Sequence, residues 1–64
     1  MERVKQAIEA AYEAHITNLY EVLTQSILLA DGNRSEITSA QDRFKRGLDF
    51  AAEVRSCALA AAGL

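Results

Sequence analysis

His15 is the only side chain in this sequence whose unperturbed pKa lies near neutrality, and Cys57 is the only thiol. A nucleophilic pair would need the two within hydrogen-bond reach. If the chain turns back at residues 31–34, position 15 falls opposite about position 50, and Cys57 lies about 10 Å further along a helix rising 1.5 Å per residue. His15 also sits in an apolar stripe beside Ala11 and Leu19, and Cys57 shares a row with Phe50, Val54 and Ala61. Both are therefore expected to pack, the cysteine as a small hydrophobe. A pH-sensitive interface is the other use open to His15.

Glu2, Glu9, Glu13 and Glu21 raise the question of a metal site inside a helical bundle. Such sites use inward-facing glutamates with a Glu-x-x-His pair. The residue three before His15 is Tyr12, so that pair is absent. One cysteine and one histidine supply neither a zinc set nor an intrachain disulfide, and no glycine-rich phosphate loop or nucleophile elbow occurs. The expectation is a protein that is not an enzyme, with no catalytic, cofactor-binding or metal residue and no cofactor.

Arg43, Lys45 and Arg46 form the one basic cluster. On a helix they point in three directions, and Asp42 and Asp49 stand four residues from Arg46 and Lys45, where ion pairs form. A phosphate-tracking surface would gather its positive charge on one face. The formal net charge of -2 also argues against nucleic acid as a partner. The longest apolar runs, Ile27–Ala30 and Cys57–Ala62, fall far short of the roughly 20 residues a bilayer span needs. The opening Met-Glu-Arg-Val-Lys does not resemble a signal peptide. These features lead to the expectation of a cytoplasmic protein with a reduced thiol and no membrane partner.

The elements that would position these residues follow from spacing. Residues 2–30 hold neither glycine nor proline, and Val4, Ile8, Tyr12, His15/Ile16, Leu19, Val22/Leu23, Ile27 and Ala30 recur at helical period. Glu9 and Glu13 are among the residues expected to face water. Asp31-Gly32-Asn33-Arg34-Ser35 is the one break: Gly32 can take the left-handed conformation that ends a helix, and Asn33 or Ser35 can cap the next, Asn33 placing Glu36 at the capping-box position. The second stripe runs Ile37, Ala40/Gln41, Phe44, Leu48, Ala51, Arg55, Ala58/Leu59 and Ala62, with Gly63 as a C-cap. The chain is thus predicted to be all-α, a single domain over 1–64, an antiparallel hairpin with helix 1 over about 2–30, a turn at 31–34 and helix 2 over about 35–62.

A chain of 64 residues buries only about 60% of the surface its unfolded state exposes, so a lone core is marginal. With disulfides and zinc set aside, oligomerisation is the remaining support. Helix 2 carries the surplus for it. Phe50, Val54, Cys57 and Ala61 make a second apolar row, turned well away from the first. From Gly47 onward small residues, Ala58 among them, permit close approach of another helix. Arg55 lies inside the stripe and would snorkel or pair with a carboxylate of another chain.

Two resemblances follow. Asp31-Gly32-Asn33, with Arg46-Gly47-Leu48-Asp49-Phe50-Ala51-Ala52 beyond it, resembles the small E-type co-chaperones of type III secretion needle subunits, helical hairpins of similar length. That resemblance implies binding to a helical-repeat chaperone that keeps the needle subunit from polymerising. Arg55-Ser56-Cys57 is similar to a stretch in the second helix of Rop-type RNA-binding hairpins, which dimerise into four-helix bundles. Helix 1 lacks their basic row, so the architecture is implied and the RNA binding is not.

The sequence thus predicts a non-catalytic interaction module that dimerises into a four-helix bundle or binds a helical partner protein, with a co-chaperone of a type III secretion needle subunit as the alternative and a Rop-like RNA-binding bundle, resting on Arg43, Lys45 and Arg46, as the second alternative. Its expected interface and core residues are Leu19, Leu23, Phe44, Leu48, Phe50, Val54, Cys57, Ala58 and Ala61, with Ala51 in the core.

Overall fold

The computed structural model describes residues 1–64 as two α-helices, α1 (Glu2–Ala30) and α2 (Arg34–Ala61). With no proline anywhere and no glycine before residue 32, nothing interrupts the i→i−4 ladder of α1. Thr17 and Thr24 donate their hydroxyls to the carbonyls of Glu13 and Tyr20, one turn back on the same helix.

The turn takes two left-handed residues where the sequence suggests one. Asp31 (φ 47°, ψ 49°) and Gly32 (φ 84°) both leave the right-handed region, and aspartate tolerates this better than most side chains. Asn33 then caps α2, its Oδ1 accepting the Glu36 N–H at 3.0 Å. The Asn33 N–H donates back to the Ala30 carbonyl at 2.9 Å, so the reciprocal half of a capping box is already satisfied by backbone. α2 begins one residue before the predicted boundary and ends one before it, at Ala61. Beyond it the Gly63 N–H reaches Ala60 and the Leu64 N–H reaches Leu59. That paired closure requires a left-handed residue, and Gly63 (φ 78°) supplies it.

The helices lie antiparallel. Three contacts fix the register: Glu9 with Arg55, His15 with Phe50 and Leu19 with Gly47. At Gly47 a Cβ would stand 2.6 Å from Leu19 Cδ2, so the missing side chain is what lets Leu19 rest against α2.

Only Ala30, Ala40 and Ala51 are buried. Leu19, Leu23, Phe44 and Leu48, expected in the core, are half-buried in the seam together with Ile8, Ile16 and Ile37. Val4, Val22 and Ile27 fall in the predicted stripe but are exposed. The stripe of α1 is broader than the strip one partner helix can cover, and two helices have no third wall.

Candidate functional site

At 100° per residue, the exposed apolar residues beside the seam gather on one side of the hairpin. On α1 these are Val4, Ala11 and Val22, with the half-buried His15 beside them; on α2 they are Phe50, Val54, Cys57 and Ala61, while exposed Ile27 and Leu28 point elsewhere. The same rotation sends Glu13, Tyr20, Lys45 and Asp49 to the opposite side. Two hollows confirm that the two rows share a face. One is lined by Ala11 and His15 from α1 and by Val54 and Ala58 from α2; the other brings Val22 and Leu19 beside Ala40 and Phe44.

Phe50 stands proud of this face at 59% exposure and Val54 at 44%. The His15 ring meets Phe50 edge-on, centroids 6.4 Å apart and planes at 87°, a favoured aromatic geometry. The imidazole is thus a packing element, and Cys57 is an exposed thiol further along the row. Among the sequence-predicted interface residues, Phe50, Val54, Cys57 and Ala61 are open to solvent, Ala58 is half-buried, and Leu19, Leu23, Phe44 and Leu48 are shared with the seam.

The face changes character toward the turn. There Ser26, Ser35, Glu36, Ser39 and Arg43 line a polar groove, with Leu29 as its apolar edge. Between Gly47 and Ala61 the one charged side chain bordering its hollow is Arg55.

The opposite edge carries the one ion pair of the molecule. Arg55 places Nε at 2.7 Å and Nη2 at 2.6 Å from Glu9 Oε1, with its guanidinium carbon 5.6 Å from the Tyr12 ring centroid. The hydrogen bond to Glu9 raises the Arg55 pKa above its ordinary value, against the lesser opposing effect of desolvation. Arg55 therefore pairs within its own chain, which corrects the expected intermolecular partner, and Glu9 is half-buried where the sequence suggests it is free in water. The antiparallel register itself was the available signal, since it sets position 9 opposite position 56. The pairs expected of Lys45 and Arg46 with Asp49 and Asp42 do not form, because long exposed side chains gain little from holding one geometry.

No protein family, curated protein or solved structure matches the chain. Its own surface must carry the functional argument. No three His, Cys, Asp or Glu side chains are grouped to hold a metal ion, and no helix is long and apolar enough to cross a membrane.

That surface is large. The hairpin exposes 4935 Å², whereas a compact monomer of 7.0 kDa exposes about 4,000 Å². Its extents of 47 × 15 × 8 Å give a broad side of roughly 700 Å² in projection, near the ~800 Å² each partner contributes to a stable interface.

Proposed function

We propose that this protein is a non-catalytic helical interaction module that works through the apolar face of Phe50, Val54, Cys57 and Ala61, and that its working state is a homodimer forming a four-helix bundle. The single observation that carries this reading is the exposure of Phe50 and Val54 beside a seam whose only buried residues are three alanines. So little burial supports few kcal/mol of stability, and an aromatic ring left in water beside apolar hollows is the composition of an interface core. The co-chaperone reading uses the same face, docked on a helical-repeat protein instead of a second copy. RNA binding would rest on Arg43, Lys45 and Arg46, which diverge around α2 and include no aromatic stacking platform.

Val54→Asp tests the reading, followed by circular dichroism and light scattering. In a bundle the substitution places an unpaired carboxylate in a closed core, so helicity and dimer mass fall together. A variant that stays fully helical at unchanged mass contradicts the bundle. A helical variant that no longer captures a partner protein supports the co-chaperone form.

A further inference from the structure

Asp31 and Gly32 make the exposed turn between the helices, and both take positive φ, at 47° and 84°. The Asn33 N–H closes the turn onto the Ala30 carbonyl at 2.9 Å, as in the mirror-image turns whose two central residues are both left-handed. The Gly32 N–H, by contrast, donates to no carbonyl of the turn. A Cβ placed on Gly32 would meet nothing within 4 Å, so the space around it is open.

These are the parts of an intramolecular reaction. The Gly32 amide nitrogen is the nucleophile and Asp31 Cγ the acyl carbon, and glycine has no side chain to obstruct their approach. Attack forms an N–Cγ bond and a five-membered cyclic imide, while the amide proton and the carboxyl OH leave together as water. Water then opens the imide at one of its two carbonyls. Cleavage of the new N–Cγ bond restores aspartate; cleavage of the original peptide C–N bond leaves the chain running through Cγ, as isoaspartate.

The folded turn blocks the first step. A near-planar five-membered ring requires Cβ and the Gly32 nitrogen on the same side of the Asp31 Cα–C bond. In an L residue Cβ stands about 120° from the backbone nitrogen around that bond, so a ψ of 49° holds the Gly32 nitrogen about 170° from Cβ, nearly opposite. Ring closure therefore needs about half a turn in ψ. That rotation carries Asn33 away from the Ala30 carbonyl and swings α2 off α1, against the contacts of Leu19 with Gly47 and of Glu9 with Arg55.

We infer that Asp31 is a modification site held shut by the turn, at which isoaspartate forms only in molecules whose turn has opened, at a rate set by the open fraction. The product does not fit the closed hairpin, because isoaspartate adds a carbon to the backbone of a tight turn. Asp42 and Asp49 are not equivalent sites. Both lie within α2, where the following amides belong to the helix ladder and carry the side chains of Arg43 and Phe50. Nothing in this inference depends on self-association.

The test is to hold the full chain warm near neutral pH, in native buffer and in guanidinium chloride, and to measure isoaspartate in the tryptic peptide 6–34 over time. Chromatography and methylation by an isoaspartyl methyltransferase distinguish it from aspartate of equal mass. Isoaspartate at position 31 should accumulate at least about tenfold faster in the denaturant. Asn33→Ala, which removes the cap that follows the turn, should speed it several-fold in native buffer and leave the rate in denaturant unchanged. Equal rates in the two solvents, or no isoaspartate in either, overturn the inference. So does an Asn33→Ala chain that reacts in native buffer no faster than the unaltered one.

Discussion

Arg55 and Glu9, on different helices and 46 residues apart in sequence, meet through one carboxylate oxygen, both Nε and Nη2 of the arginine directed at Glu9 Oε1. The pair lies at the half of the hairpin away from the turn, where loop closure contributes least to holding the helices in register. It tethers that half, and the guanidinium extends over Tyr12.

Removing either partner should therefore loosen the open end more than the turn. Arg55→Ala and Glu9→Ala each lower the thermal midpoint modestly, and the double variant loses less than the two single losses combined. Additive losses would show that the two side chains do not act together. Because the Arg55 pKa is raised, the guanidinium keeps its charge as the pH rises and its contribution is lost on the alkaline side only in strong alkali. Melting between pH 8 and pH 10 should accordingly show no loss traceable to this pair.

Leu48 and Lys45 are three residues apart on α2, yet one is half-buried in the seam and the other exposed. Leu48→Ala should cost about 2 kcal/mol, at the low end of core truncations because the site is only half covered in one hairpin. Lys45→Ala should cost under about 1 kcal/mol. Urea denaturation of the two variants checks the order, and equal losses would mean the seam is misplaced.

Ala51 is 1% exposed in the seam, at the floor of the hollow it shares with Ala11, His15, Val54 and Ala58. Ala51→Leu adds three carbons at this covered position between the helices and should destabilise by about 1–3 kcal/mol, although leucine is nearly as good a helix former as alanine. Urea denaturation measures it. An unchanged midpoint would show that the helices separate there at no cost.

Much of this molecule is legible in its sequence. The uninterrupted run before Asp31, the Asn33 cap and the seam from Ile37 through Phe44, Leu48 and Ala51 follow from glycine placement and a 3.6-residue period, which are local properties. Placing His15 opposite Phe50 needed only the turn position. Three features escaped because they depend on contacts between the helices. Glu9 looks like an exposed charge until Arg55 faces it. Gly47 reads as one of the small residues that admit a helix from outside, whereas within the hairpin it is Leu19 that fills the space above it. Val22 and Ile27 satisfy the period yet remain exposed, because width of stripe, not phase, determines what a single partner helix can cover.

The central claim is that the hairpin's apolar face is completed by a second copy. Sedimentation equilibrium of the unaltered protein near neutral pH, from high to low micromolar concentration, tests it most directly. The account predicts a helical species of twice 7.0 kDa whose helicity declines on dilution together with its mass. A fully helical species that stays at 7.0 kDa across the range would contradict it.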